Sequence, residues 1–157
     1  MHIACASYLV LNNLIMRDIN KIILHCSATK EGQEFDVNDI REWYKQQNFI
    51  DVGYHYVITL DGTIQDGRDI RTIGAHCKGQ NYGSIGICYI GGVDKEGKAK
   101  DTRTKEQKES LLNLIDDLLL AYDLNIDDVY CHYQFAKKLC PCFKIEDFKN
   151  EYLNFKN

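Results

Sequence analysis

The segment from Cys131 to Cys142 constrains the fold of this chain more than any other part of the sequence. Within it, His132 and Cys140 stand eight positions apart. Imidazole and thiolate groups suit zinc, and a catalytic zinc site normally has three protein ligands and one position open for water. Two of these ligands can come from the segment if its backbone loops back. The best candidate for the third is His25, at the end of the apolar run Ile22-Ile23-Leu24, so the fold has to bring His25 to the distant pair.

The spacing of these residues leaves a metal site and a structural role both open. A histidine at the end of a strand is more often a hydrogen-bonded structural residue than a ligand. Structural zinc sites typically use Cys-x-x-Cys pairs, which this sequence lacks. Cys140-Pro141-Cys142 is not a redox pair of the Cys-x-x-Cys kind either. The metal hypothesis therefore needs support from longer stretches of sequence.

Composition excludes several classes of protein. The length of 157 residues suits one domain with a real core, and the apolar fraction of 45% and charged fraction of 27% are typical of globular proteins. The net charge of −4 argues against a nucleic-acid-binding face, which would be basic. No apolar run approaches the length of a membrane span. We therefore expect a single domain with neither nucleic acid nor a membrane as its partner. We also expect a monomer, although composition does not bear on the oligomeric state.

The cysteines and the N-terminal residues indicate where the chain is made. Seven cysteines is an odd number, which favours reduced thiols in a cytoplasm over an extracellular disulfide scaffold. The residues before Met16 lack the basic region and the small-residue cleavage site of a signal peptide. We interpret residues 1–20 as an N-terminal extension and residues 21–157 as the domain. A chain that starts at Met16 is expected to fold.

Hydrophobic periodicity predicts an α/β fold, with a central mixed β-sheet flanked by helices. Strands are predicted at Lys21–Cys26, Tyr54–Thr59, Thr63–Gln65, Ser84–Ile90 and Val129–His132. Asp61-Gly62 indicates a hairpin, and Gly91-Gly92 is expected to break the chain after its strand. Helices are predicted at Val37–Gln47 with Asp36 as N-cap, at Thr104–Tyr122 with a Thr104/Gln107 capping box, and at Ile145–Phe155.

Several short motifs in register resemble the zinc-dependent N-acetylmuramoyl-L-alanine amidases of phages, whose fold is shared with animal peptidoglycan recognition proteins. The motifs are His25-Cys26-Ser27-Ala28-Thr29, Asp51-Val52-Gly53-Tyr54-His55-Tyr56, Asp61-Gly62-Thr63 with Gly67-Arg68-Asp69, Gly74-Ala75-His76-Cys77-Lys78-Gly79, Asn81, Ser84-Ile85-Gly86-Ile87-Cys88, Gly91-Gly92, and His132 with Lys138-Leu139-Cys140-Pro141. They run from about Lys21 to Tyr152 in the family's order, with no large insertion. Many matches in register are far more specific than any one of them.

The resemblance implies both a metal site and a reaction. His25, His132 and Cys140 would bind Zn²⁺, and Tyr54 and Lys138 would form the catalytic pair beside it. The reaction would be hydrolysis of the amide bond between N-acetylmuramic acid and L-alanine of the stem peptide, by a water that zinc activates. Lys138 would stabilise the oxyanion. Tyr54 would hydrogen-bond the water or pass a proton to the leaving amine, and the general base is left open because no acidic residue stands out.

Two further residues are candidate substrate contacts. His76 lies in a glycine-bounded loop that flanks the substrate groove in the resembled family, with loop hydrogen bonding as the alternative role. Asn81 either binds the peptide or holds a turn.

The remaining candidates are interpreted as structural. His55 follows Tyr54 on the predicted strand, so it points to the opposite face and is expected to pack there. Cys26 and Cys131 adjoin proposed ligands but point the other way, into the core. Lys137 is expected to be a solvated surface charge.

Three classes of function remain after these assignments. The first is a phage or prophage lysis enzyme acting on the peptidoglycan of the bacterial cell wall; a bacterial effector or recycling amidase fits the same chemistry. The second is a recognition module that binds muropeptide without cleaving it. Such modules usually lack the cysteine ligand, whereas Cys140 is present here. The third is a regulatory partner, because some phage amidases also bind their phage's RNA polymerase, although nothing in this sequence indicates such a surface.

Overall fold

The centre of the fold is the strand β5 (Ser84–Tyr89), in which every residue is buried. In this computed structural model, which describes residues 17–157, β5 pairs in parallel with β1 (Lys21–Cys26) on one side and with β3 (Tyr56–Ile58) on the other. The edge strands are β4 (Ile64–Asp66), antiparallel to β3, and β7 (Val129–Cys131), parallel to β1. The order β4-β3-β5-β1-β7 makes a mixed sheet and confirms the predicted class.

Three α-helices flank this sheet in the described part of the chain; two begin at the predicted residue, and the second begins one residue after the predicted Thr104, which is its N-cap. They are α1 (Val37–Gln46), α2 (Lys105–Ala121) and α3 (Ile145–Lys156). The Asp36 carboxylate caps α1 by accepting from two backbone amides of its first turn. Thr104 and Gln107 form the predicted reciprocal capping box at α2. The first turns of both helices are thus stabilised by local side chains.

The two faces of the sheet pack against different helices. The larger core cluster joins one face to α2 and α3 and includes Leu24, Ile87, Ile115 and Phe148. The smaller cluster joins the other face to α1 and includes Val37, Ile40, Val57 and Cys88. Side chains alternate along a strand, so His25, next to Leu24 and in register with Cys88, lies on the α1 side.

Element boundaries differ from the predictions near the ends of strands. The strand predicted from Tyr54 begins at Tyr56, although the His55 N–H still donates to the Gly86 carbonyl at 2.9 Å. The strand predicted to end at His132 stops at Cys131, because His132 opens a 3₁₀ turn. The prediction of a break at Gly91-Gly92 was wrong in part. Gly92–Val93 forms a short strand, β6, that pairs with β2 (Thr29–Lys30).

The six cysteines within residues 17–157 are free. Over the same range, no helix combines the length and the apolarity needed to cross a membrane. Residues 1–16, including most of the predicted N-terminal extension, lie outside the described residues.

Arg17 ties the start of the described chain to the loop between β4 and β5. Its guanidinium donates to the carbonyls of Ile70 at 3.0 Å, Tyr82 at 2.9 Å and Ser84 at 3.1 Å. Ile19, two residues on, is buried in the larger core cluster. Part of the segment assigned to the extension therefore packs against the domain.

We expect Arg17→Ala to lower the free energy of unfolding by about 1–3 kcal/mol, because partly buried carbonyls lose a charged donor. Urea denaturation measures the effect. The matched control is Lys45→Ala, which removes an exposed pair with Glu42 and should change stability by less than about 0.5 kcal/mol. Equal stability of the two variants would contradict the anchoring role.

Candidate metal centre and cleft

The parallel pairing of β1 and β7 brings the two distant histidines together. Leu24 is in register with Cys131, so the residues that follow, His25 within β1 and His132 just after β7, lie at the same level of the sheet. Their Nδ1 atoms lie 3.2 Å apart. Both side chains are buried, His25 to 1% exposure and His132 to 8%. The C-terminal edge of the parallel strands is where α/β sheets place ligands.

Cys140 returns to this edge through a loop that closes on itself. The Tyr133 N–H donates to the Cys140 carbonyl at 2.9 Å, and the Tyr89 hydroxyl donates to the Pro141 carbonyl at 2.7 Å. The Cys26 N–H then donates to the Cys140 sulfur at 3.2 Å. That sulfur lies 3.9 Å from Nδ1 of His25. The loop thus brings the Cys140 sulfur back to His25 and His132.

The three donor atoms fit a zinc ion. They are Nδ1 of His25, Nδ1 of His132 and Sγ of Cys140, and all lie within 4.8 Å of one another. Zinc bonds of about 2.0–2.1 Å to nitrogen and 2.3 Å to sulfur in tetrahedral geometry place two nitrogens about 3.3 Å apart, and a nitrogen and a sulfur about 3.6 Å apart. The separations of 3.2 Å and 3.9 Å are close to these values.

Burial keeps these imidazoles in the form that metal binding needs. Desolvation lowers the pKa of His25 well below its usual range, and the charges of His76, His132 and Lys138 add to the effect. Desolvation, followed by the charge of Lys138, also lowers the pKa of His132. Metal ligation requires neutral histidine. Both rings are therefore ready to bind a metal at neutral pH.

Tyr54 stands next to this cluster, with its ring centroid 5.1 Å from that of His25. Desolvation raises the pKa of Tyr54 well above its usual range, so its hydroxyl stays protonated at neutral pH. This hydroxyl interacts with that of Tyr44, which itself donates to the Ala75 carbonyl at 3.2 Å. Gly53 permits the packing, because a Cβ there would overlap the Ala75 carbonyl oxygen. Sequence reasoning included Tyr44 only within the predicted helix Val37–Gln47 and missed this contact.

A cleft of about 820 Å³ opens beside Tyr54 and His132. Its lining includes two lysines, Lys78 and Lys138, and no aspartate or glutamate from the described residues. Its aromatic side chains include Trp43, Tyr44, Phe49 and Phe135. This volume lies in the range of small-molecule sites. Within a chain of net charge −4, the cleft is locally cationic and therefore suits a substrate with carboxylates.

The two predicted substrate contacts line the same cleft but also have partners within the protein. His76 is buried, with Nδ1 2.8 Å from Nε2 of His25. Asn81 accepts at Oδ1 from the backbone amides of His76 and Cys77, both at 2.9 Å. Asn81 thus holds the turn that presents His76. Sequence spacing carries no signal for the contact between His76 and His25, which are 51 residues apart.

The residues interpreted as structural lie where packing places them. His55 is buried, with Nδ1 accepting from the Gly86 N–H at 3.0 Å. Cys26 and Cys131 belong to the larger core cluster. Lys137 is exposed and is not part of the cleft lining.

Comparison with known proteins decides the family. Residues 16–143 match the family N-acetylmuramoyl-L-alanine amidase. The chain belongs to this amidase family. It is 43% identical over 132 residues to the endolysin of Escherichia phage T7. The aligned residues cover 83% of this chain and 86% of that protein.

Solved structures agree with this assignment to the amidase family. The N-acetylmuramoyl-L-alanine amidase LysC from Clostridium intestinale is 29% identical, with a TM-score of 0.74 over 88% of this chain and 87% of that one. The peptidoglycan recognition protein PGRP-SA of Apis mellifera is 26% identical, with a TM-score of 0.70 over 87% and 84%. The fold that this amidase shares with recognition proteins is the predicted one.

We expect the free energy of unfolding of the metal-free amidase to fall as the pH drops from about 6.5 to about 4. Burial lowers the pKa of His55 to about 4 and that of His76 to about 3, so the unfolded chain binds protons in this window that the folded chain does not. The contribution of His55 to the free energy of unfolding is complete above about pH 6.5 and is lost as the pH falls through about 4. For His55 alone, the full loss is about 3 kcal/mol.

Urea titrations at pH 7, 5.5 and 4.5 measure this loss. His55→Gln is the control, since removing one histidine from the proton balance should make the dependence shallower. Stability that stays constant from pH 7 to pH 4.5 would contradict the assignment of these histidines as buried and neutral.

Proposed function

We propose that the protein is a zinc-dependent peptidoglycan hydrolase that cleaves the amide bond between N-acetylmuramic acid and L-alanine of the stem peptide. The observation that carries this proposal is the convergence of His25, His132 and Cys140 beside a cationic cleft that also holds Tyr54 and Lys138. The endolysin of phage T7 is a relative at 43% identity, which supports action on the bacterial cell wall. Carbohydrate and stem peptide would lie in the cleft.

The metal and its three ligands have defined parts in this proposal. A zinc ion held there would polarise a carbonyl and lower the pKa of a water to about 7. His25 and His132 supply neutral nitrogen donors, and Cys140 supplies a sulfur that already accepts the Cys26 N–H. These three residues would hold the ion, which matches the three protein ligands of a typical catalytic zinc site.

Lys138 stabilises negative charge on the carbonyl oxygen as it develops. Its side chain is exposed and lines the cleft next to His132, where an ammonium group can reach a bound substrate. A fixed positive charge at a developing oxyanion is often the largest single contribution to catalysis.

Tyr54 acts as a hydrogen-bond donor and not as a base. Its raised pKa keeps the phenol protonated throughout the neutral range. In this structure the Tyr54 hydroxyl donates to the Tyr44 oxygen, whose own proton goes to the Ala75 carbonyl. To orient the attacking water or donate toward the leaving amine, the Tyr54 hydroxyl would turn from Tyr44 toward the substrate. No carboxylate of residues 17–157 lines the cleft, so proton transfer depends on groups other than aspartate and glutamate.

The substrate contacts proposed for His76 and Asn81 are limited by the bonds that these residues already make. The Oδ1 of Asn81 accepts two backbone amides, which leaves its Nδ2 group as the donor to peptide. His76 contacts His25 through one ring nitrogen. A muropeptide would therefore meet this loop mainly through Asn81 and the neighbouring Lys78, which also lines the cleft.

We expect Cys140→Ser to lose both bound zinc and the release of stem peptide from purified peptidoglycan. The wild type should carry about one zinc per chain and expose new L-alanine amino termini, because a catalytic site of this kind holds one metal. Metal analysis and amino-terminal labelling measure the two quantities.

Cys142→Ser, two residues away and outside the donor cluster, is the matched control and should keep both properties. Wild type that binds zinc and muropeptide but releases no peptide would make this chain a recognition module. Folded wild type without zinc would overturn the ligand assignment.

We expect Lys138→Met to lower kcat about a hundredfold to a thousandfold while zinc content stays at the wild-type level, because the variant loses the charge and keeps the apolar stem. Lys137→Met is the control, since its side chain is exposed outside the cleft lining, and it should retain nearly full activity. Equal losses in the two variants would point to general charge instead of a specific oxyanion contact.

A further inference from the structure

The metal-facing histidine His25 has a second buried histidine behind it. Its Nε2 atom lies 2.8 Å from Nδ1 of His76, and the two rings meet edge to face at 87°. The Nδ1 atom of His25 faces His132 and Cys140 on the other side of the ring. Which nitrogen of His25 carries the proton therefore decides whether its donor lone pair points at the metal position.

The hydrogen bonds beyond His76 determine where that proton lies. The Ser84 hydroxyl is 2.7 Å from the Gln80 carbonyl, an oxygen that can only accept, so the single hydroxyl proton is used there. Ser84 then has to accept from Nε2–H of His76, at 3.2 Å. A neutral imidazole protonated at Nε2 has an acceptor at Nδ1. His25 must donate to it from Nε2, which leaves Nδ1 of His25 as a lone pair toward His132 and Cys140.

The fold holds the ring of His76 in this position from several sides. It packs on β5 at Gly86, where a Cβ would lie 2.5 Å from the ring. A Cβ at Gly74 would meet the same ring at 2.6 Å. Asn81 holds the His76 backbone amide at 2.9 Å. Gly74 and Gly86 leave room for the His76 ring, and Asn81 fixes the loop that carries it.

We propose that His76 is a positioning residue, which through the chain Gln80–Ser84–His76–His25 holds His25 in the tautomer whose Nδ1 faces the metal position. Partners of this kind typically change metal affinity tenfold to a hundredfold. The proposal rests on the proposed zinc site for its effect on affinity, whereas the tautomer itself is a property of the protein with or without the metal.

Nitrogen-15 NMR of the histidine side chains in the wild type tests the tautomer directly, at pH 7.5 with and without Zn²⁺. In the metal-free protein we expect His25 and His76 both to carry the proton on Nε2, and in the zinc-loaded protein we expect His25 to bind through Nδ1. A proton on Nδ1 of His25 or His76 in the metal-free protein, or metal on Nε2 of His25, would overturn the proposal. If the wild type binds no zinc, the metal-free spectrum alone still decides the tautomer. Failure of the zinc site and failure of the hydrogen-bond chain to His25 are therefore distinguishable.

Two replacements of similar size at His76 test the effect on affinity. His76→Asn keeps an acceptor at the position of Nδ1, and His76→Leu fills the space with no acceptor. By competition with a zinc chelator, we expect His76→Leu to bind Zn²⁺ about tenfold to a hundredfold more weakly than wild type and His76→Asn to recover most of the loss. Equal affinity of His76→Leu and wild type, or equal loss in both variants, would overturn the proposal.

A third variant keeps the test decisive if the replacements at His76 do not fold. Ser84→Ala removes the acceptor at the far end of the chain and leaves both histidines in place. We expect a weaker zinc affinity and a mixed tautomer at His76, whereas Ser110→Ala, which removes a serine hydroxyl bonded to Gly62 far from the cluster, should match wild type in both measurements. If His76 in Ser84→Ala keeps the single tautomer of the wild type, the proposed role of the hydrogen-bond chain is overturned.

Discussion

The parallel register of β1 with β7 is the constraint on which the rest of the site depends. Pairing Leu24 with Cys131 places His25 and His132 side by side at one edge of the sheet, although 107 residues separate them. The pairing is itself secured by β5, which is buried along its whole length and holds β1 from the other side. Since a shift of one residue moves every side chain to the opposite face, the apolar core that fixes this register also fixes the positions of the candidate ligands His25 and His132.

Burying polar rings at that edge is tolerated because each has a partner. In the described part of the chain, no buried side-chain nitrogen or oxygen lacks a hydrogen bond. His55 accepts from the Gly86 amide, and His76 lies between His25 and Ser84. An unsatisfied buried polar group costs about 1–3 kcal/mol, so this layer of histidines requires its hydrogen bonds. The same burial keeps the imidazoles neutral, which is the form in which His25 and His132 could bind a metal.

One face of the sheet carries most of the apolar core, and the other face carries the candidate site. The face toward α2 and α3 carries the larger apolar cluster, whereas the face toward α1 carries a smaller one that gives way to the cleft. Trp43 and Tyr44 on α1 take part in both, packing on the smaller cluster and lining the cleft. The loop from β4 to β5, anchored by Arg17, closes the same side with His76 and Asn81.

Local sequence determined the helices and their caps, the central strands, the hairpin at Asp61-Gly62 and, through motifs in register, the family and the three candidate ligands. These depend on periodicity, on capping within four residues or on short motifs, all of which one chain displays. The tertiary structure alone decided that His76 bonds to His25 and that the Tyr44 hydroxyl meets Tyr54. It also decided that Gly92–Val93 pairs with Thr29–Lys30. These contacts join residues from about 10 to more than 60 positions apart. They form only where the core brings separate elements into register, so no local sequence pattern predicts them.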